Sequence, residues 1–527
     1  MKKLEKKLKK IIIFSKCFFI LAAILSTLTV SLTLIIFLVC FNIYQVGKAG
    51  KTLATSVLEN NTPDFDKSFL VFQKQIKNLK KKVNLLKPAV KILPLKYQDL
   101  YSQAKEALNL AVELNKFLPE FLGKDREKTY FTLLQNHFEL RPTGGFMGSY
   151  AKLKFAQGGL NSFTVHDIYV PDGQLEGHVD PPWPIQEAFK HGFWKLRDSN
   201  WDPDFPTAIK QISWFFDKGN EEQADGFIAI NFLLIKDLLD ITGPIKTTNY
   251  DYLVNKDNFY QIAQNEAETD FFPGSTQKKD FLSSLSKELF FKLQNLDNQQ
   301  YLQLIRTVFK NLNEKQILLN FKDNNTANFI NKYGWGGLVK RKFPDSNETI
   351  NDYVYIVDTN LGANKANCCI ERKVKQNISL ESNSLSKENL TIIYKNSSIT
   401  TGQRPPLFWG GIYKNFLRVI LPIEAENITI KVDAKQYQEK VEILKDEDKK
   451  LKTVGFFIIV NPLSEVIVEI EYSKPITNIN ANTYQLEIQK EPGIKSYQHT
   501  INFKSALKNY TDNLEISTDK IIKFDIK

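Results

Sequence analysis

Histidine and cysteine are scarce in this chain of 527 residues: there are five His and four Cys, with no Cys-x-x-Cys pair and no Cys/His cluster. That excludes a structural zinc site of the usual ligand spacings. Cys17 and Cys40 fall in an apolar stretch, and Cys368 and Cys369 are adjacent. Neighbouring residues of a strand point to opposite faces, so the adjacent pair reads as packing residues. A glycine loop ending in Gly-Lys-Ser/Thr is missing, as is a G-x-G-x-x-G that opens a helix. No nucleotide or haem cofactor is therefore expected. A broad excess of positive charge is missing too. The net charge is +11, but the tail KKLEKKLKK and eight lysines without an acid over 71–98 account for it. The remainder is near neutral or slightly acidic, which speaks against a nucleic-acid groove.

What is present is a chain able to bury a real core, 43% hydrophobic and 12% aromatic, long enough for two or three domains. From Cys17 to Gly47 no residue is charged. About 20 apolar residues span a bilayer, and the lysines ahead of the run keep the N-terminus cytoplasmic. No A-x-A-like site closes the run, so an uncleaved anchor is expected rather than a signal peptide. The expected arrangement is a cytoplasmic basic tail (1–16), a single-pass transmembrane signal anchor in the lipid bilayer (17–47), and an extracytoplasmic remainder on the cell membrane. Over 48–123 a helical hairpin stalk is expected. Phe69, Phe72, Ile76, Leu79, Val83, Leu86, Val90 and Leu93 recur at steps of three and four as a heptad seam that Pro94 ends. Leu100, Ala104, Ala107, Ala111, Leu114, Leu118 and Phe121 read as the partner helix. The lysines of the hairpin form either a solvated face or a surface for anionic lipid or wall glycopolymer.

Residues 124–346 interleave strands and helices, which predicts an α/β domain with a mixed sheet and flanking helices. Thr129–Leu140 and Ser149–Val170 read as strands. Helices are expected at Phe205–Gly219, after the strand Gly226–Ile230 up to Gly243-Pro244, at Lys256–Glu268 and at Gln277–Leu312. Two polar motifs stand out. In ELRPTGGFMG, Gly144, Gly145 and Gly148 either bend the chain into a strand or form an anion nest beside Arg141, which otherwise pairs with a carboxylate such as Glu139. In KLRDSNWDPDFPTA, Arg197, Asp198, Asp202 and Asp204 surround Trp201. Three carboxylates so close suit Mg²⁺, or else Asp204 or Thr207 caps the following helix. Upstream, HDIYVPDG adds Asp167 and Asp172. Beyond 347 short alternating strands with frequent turns predict a C-terminal all-β sandwich (347–527), including an aromatic loop, GQRPPLFWGGIY.

Four stretches in one order, LLQNHFELRPTGGFMGSYAKLKFAQGGL, LRDSNWDPDFPTA, ADGFIAINFLLIKDLLDITGPI and NLGANKANCCIERKV, resemble the domain of unknown function 4012 family of bacterial envelope proteins, over roughly Thr129–Val374. More distantly the order is similar to the LytR-CpsA-Psr phosphotransferases. Those are single-pass enzymes that move glycopolymers from a polyprenyl pyrophosphate carrier to the wall. This chain has Arg-Pro-Thr-Gly in place of their Arg-Ser-Asp-Thr, and no Arg in HDIYVPDG for their Pro-Arg-Asp motif. The resemblance implies Arg141 and Arg197 on a pyrophosphate, Asp167 as proton acceptor, and Mg²⁺ on Asp198, Asp202 and Asp204. The alternative is a non-catalytic envelope binding or structural protein.

Overall fold

The computed structural model describes residues 34, 37–59, 62–248, 250–268, 277–341, 348–381, 385–399, 410–476 and 481–526. Of the expected anchor, residues 17–33, 35 and 36 lie outside these, as do residues 402–409 of the aromatic loop. Among the described residues no helix is long and apolar enough to cross a membrane.

The chain divides into two compact units. The first holds a helix at 37–58, the helix Thr62–Leu85, a short turn of helix Lys87–Val90 and the helix Leu95–Phe121. Phe65, Phe69, Ile76, Leu79 and Val83 are buried along one stripe, and Ser56 and Ser68 share a hydrogen bond of 3.0 Å between helices. The seam stops earlier than the sequence spacing suggests, with Leu93 exposed. The helix ends at Leu85, because Pro88 has no N–H to offer the Asn84 carbonyl and its ring crowds that turn.

The second unit holds the α/β sheet and the sandwich together. In chain order its first strands are β1 Lys128–Asn136, β2 Phe146–Ala156, β3 Gly159–Asp167, β4 Gly226–Asn231, β5 Ile245–Lys246, β6 Leu253–Val254 and β7 Ile317–Phe321. The main sheet runs β3-β2-β1-β4-β7, with β1 and β4 parallel and β7 antiparallel to β4. Both parallel strands therefore end at the same edge, at Asn136 and Asn231. The helix Phe205–Lys218 starts on the Asp204 cap and lays Ile212, Phe215 and Phe216 into one core with Phe131, Leu133 and Phe227. The expected helix Gln277–Leu312 is two, Gln277–Gln294 and Asn298–Asn313. Asp297 restarts it by accepting the amides of Gln299 and Gln300 at 2.8 Å each.

The sandwich strands are β8 Thr349–Val357, β9 Ile370–Glu381, β10 Leu385–Asn396, β11 Tyr413–Pro422, β12 Glu426–Val432, β13 Lys435–Gln436, β14 Glu442–Asp446, β15 Leu451–Val460, β16 Ser464–Pro475, β17 Thr483–Gln489, β18 Tyr497–Lys504, β19 Asn509–Ile516 and β20 Lys520–Asp525. They make a seven-stranded sheet, β13-β12-β16-β10-β9-β18-β19, and a six-stranded one, β14-β15-β11-β8-β17-β20. Alternate residues such as Ile378, Leu390 and Ile470 from the first meet Leu417, Phe456 and Leu486 from the second in one core. β8 is buried on both faces: Tyr353, Tyr355 and Val357 form a separate cluster with Val339, Ile420 and Leu451.

Candidate functional site

The loop between β1 and β2 is a tight bend and not an anion nest. The amide of Gly144 donates to the Arg141 carbonyl and that of Phe146 to the Glu139 carbonyl, each at 2.8 Å, so those donors are spent inside the turn. Gly145 is obligatory for space: with φ at +150°, a Cβ there would lie 2.4 Å from the carbonyl of Asn136.

Arg141 is 2% exposed, and its guanidinium is consumed. Nη1 donates to the Asn360 carbonyl and, at 3.3 Å, to that of Leu140, while Nη2 donates to Glu139 and Asp198 at 3.2 Å each. Around it the chain zips to the segment before β9. The Asn360 amide donates to the Leu140 carbonyl, the Leu140 amide to Asn367 Oδ1, and the Asn367 amide to the Phe138 carbonyl, all at 3.0–3.1 Å. The glycine motif and the NLGANKANCC motif are thus two sides of one seam.

The second polar motif is a wedge on the outer face of the six-stranded sheet. Trp201 stacks on Phe416 with ring centroids 5.5 Å apart. Arg418 lies over Trp201 at 4.3 Å and donates to its carbonyl at 3.0 Å. Burial brings the Arg418 guanidinium down to about 10. Asn200, fully buried, donates to Thr143 Oγ1 and the Gly145 carbonyl at 2.8 and 2.9 Å, tying wedge to bend.

Each residue picked out in the sequence has a definite place. Arg141 and Arg197 come together through Asp198, which accepts from Arg141 and stands 3.8 Å from Arg197 Nε. Arg197 also grips the buried Asp172 at 2.7 Å. Burial pushes the Asp172 carboxyl up, and Arg197 opposes that. Asp167 ends β3 and accepts the Tyr169 amide at 2.8 Å. Asp204 caps its helix through Thr207 and accepts the Val339 amide at 2.8 Å. Asp202 accepts the Asp204 amide at 2.8 Å, and burial raises its carboxyl. The three aspartates do not fit Mg²⁺. Asp198 is committed to Arg141, both oxygens of Asp204 are used on amides and a hydroxyl, and among the described residues no three His, Cys, Asp or Glu side chains converge on a metal position.

The accessible site lies elsewhere, at the shared carboxyl edge of β1 and β4, where open α/β sheets hold their ligands. There a cleft of about 670 Å³ opens between that edge and the sandwich. His137 and Phe138 follow β1, Phe232 and Lys236 follow β4, Tyr260 comes from the helix Phe259–Glu268, and Lys495 precedes β18. The half-buried rings form a nest: Phe138 meets Tyr260 edge-on at 4.4 Å, and Tyr260 meets Phe232 at 5.2 Å. Burial lowers the His137 imidazole to about 4, so it is neutral at physiological pH. Arg372 lines the cleft and lies 4.3 Å over the Tyr497 ring, anchored to Asp358 at 2.7 Å. Among the described residues Lys236 and Lys495 are exposed and make no ion pair. Sequence reasoning missed this site, although the polar-aromatic run QNHF at the end of a strand marks it.

Residues 125–267 match the model of the family described as "Protein of unknown function (DUF4012)". No curated protein matches the chain. Solved structures similar to it include a protein from Streptococcus agalactiae (12% identity, 42% of this chain and 76% of that one, TM-score 0.28). Others are a protein from Listeria innocua (13%, 40% and 79%, TM-score 0.24) and a transcriptional regulator from Enterococcus faecalis (13%, 43% and 77%, TM-score 0.23). At those TM-scores the likeness carries no argument. The family match takes in the glycine bend and the tryptophan wedge but stops short of Asn360. The similarity to the family of proteins of unknown function DUF4012 is thus found over residues 125–267, which hold three of the four motifs that suggested it.

Proposed function

We propose that this chain is a non-catalytic binding protein of the bacterial cell envelope, tethered by Cys17–Gly47, that holds an acidic saccharide in the cleft beyond β1 and β4. The observation that carries this reading is the burial of Arg141, whose hydrogen bonds go to Glu139, Leu140, Asp198 and Asn360 of the protein itself. Phosphoryl transfer needs charge aimed at a substrate, and here that charge is aimed inward. The cleft offers what a sugar acid needs. Half-buried rings of Phe138, Phe232 and Tyr260 suit the apolar faces of pyranose rings, and Lys236 and Lys495 suit a carboxylate or phosphate. The uncharged run behind a lysine tail supports the tether.

Calorimetric titration of the full chain in detergent with a uronic acid oligosaccharide, and with a neutral one of equal length, tests the reading. Binding of the acidic sugar alone, weakened about tenfold or more by Phe138→Ala and by the pair Lys236→Ala and Lys495→Ala, is expected. Mg²⁺-dependent transfer of a glycan from a polyprenyl pyrophosphate, abolished by Arg197→Ala at unchanged stability, would replace it with the phosphotransferase reading.

A further inference from the structure

The adjacent cysteines are not strand residues packed on opposite faces. They close the 3-10 turn Ala366–Cys369 that leads into β9, and their sulfurs lie 2.6 Å apart. Non-bonded carbon atoms pack at about 3.5–4.0 Å, and sulfur is larger. Both residues are half-buried, open to a small reagent. The turn is held on both sides. Asn367 is bonded to Phe138 and Leu140, and the Cys369 carbonyl accepts from the amide and hydroxyl of Ser397 at 2.9 and 3.0 Å. The backbone therefore fixes the two sulfurs together, in a sequence that offers neither a second nearby cysteine.

We infer that Cys368 and Cys369 form a reversible vicinal disulfide that locks the seam carrying Asn367, Phe138 and Arg141. The oxidant is a small or protein disulfide of the extracytoplasmic space. The Cys369 thiolate attacks one sulfur of that disulfide and expels the other as a thiol. The Cys368 thiol then gives up its proton and attacks Cys369 Sγ, expelling the second thiol. Two protein thiols and one disulfide become one protein disulfide and two thiols. Burial, with the hydrogen bond to Cys369, pushes the Cys368 thiol up, which leaves the first attack to Cys369. Adjacent Cα atoms stand about 3.8 Å apart, below the usual 4.4–6.8 Å. The ring is therefore an easily reduced bond, of the labile and regulatory kind.

The full chain, reduced and then exposed to oxidised glutathione, is alkylated and cut with trypsin. Ala366–Arg372 is then a single peptide holding both cysteines and no others. The expected peptide is unalkylated and lighter by two hydrogens, and it takes two alkyl groups only after reduction. In Cys368→Ser a glutathione adduct should stay trapped on Cys369. Hydrogen exchange at the amides of Leu140 and Asn367 should slow on oxidation. Two alkyl groups without reduction, or stable glutathione adducts on the unmutated chain, would overturn the disulfide. No trapped adduct would overturn the order of attack, and unchanged exchange would overturn the lock. None of these readouts depends on a saccharide.

Discussion

Replacing Arg141 separates a structural arginine from a catalytic one. Arg141→Ala takes from Glu139 (7% exposed) and Asp198 (5% exposed) the guanidinium they share, leaving only the longer contacts to Lys365 at 3.9 Å and Arg197 at 3.8 Å, and strips the Asn360 carbonyl of its donor. Removing one partner of a buried ion pair costs about 3–5 kcal/mol. The orphaned carbonyl adds about 1–3 kcal/mol. The sum is a large share of the roughly 5–15 kcal/mol that holds a protein folded. Arg141→Lys should recover only part of it, since one ammonium cannot reach two carboxylates and two carbonyls that a planar fork spans. Neutralising the set together, in Glu139→Gln with Arg141→Met and Asp198→Asn, should cost less than Arg141→Ala alone, because no charge is left stranded. Urea unfolding of the full chain, followed by tryptophan fluorescence, measures all four proteins in one assay. Trp194 and Trp201 lie within and beside this cluster and report on it directly. If Arg141→Ala unfolds at the wild-type midpoint, or if the triple variant is the least stable of the set, the clamp is not what Arg141 is for.

Gly145→Ala drives a methyl group into the Asn136 carbonyl at 2.4 Å in a φ region that favours glycine, so loss of soluble protein or a drop of several kcal/mol is expected in the same unfolding assay. His499 is 1% exposed with neither ring nitrogen bonded, and burial, with Arg372 nearby, lowers it from 6.5 to about 3. A group depressed in the folded state gives its full stability above pH 6.5 and loses it as pH falls toward 3, at about 1.4 kcal/mol per unit. His499→Leu should flatten that acid limb, and parallel limbs for variant and parent would refute the assignment. Asn200→Ala, which orphans the Gly145 carbonyl and leaves the Thr143 hydroxyl with Gln135 as its one side-chain donor, should cost about 1–3 kcal/mol in the same titration.

Much of the α/β layer was legible because its signals are local. Gly219 and Gly243 stop their helices where the spacing places them, and Asp204 caps the next helix from within its own motif. The break at Pro88 was equally local but was outweighed by a seam that continued past it. The pairing of Arg141 with Glu139 was legible, but the rest of its fate was not, because Asp198 and the Asn360 carbonyl lie 57 and 219 residues further along. Any residue type supplies a carbonyl, so composition leaves no trace of it. The same holds for Trp201, whose partners Phe416 and Arg418 sit on β11. An Asp-rich loop then resembles a cation site when its acids are in fact busy with amides. The cysteine pair was misread for a related reason: a short turn carries no periodicity to distinguish it from the strand that follows.

The segment that matches the family model ends at 267, yet β7, the edge strand beside β4, lies at Ile317–Phe321, and the acceptor for Arg141 lies at Asn360. A recombinant fragment cut at the family boundary would expose the bare edge of β4 to pairing with other chains, strand a buried arginine and strip Trp201 of its cover. Anyone producing this protein in pieces should place the downstream end after β20, because the partners of β4, Arg141 and Trp201 all lie beyond the stretch that matches the family model.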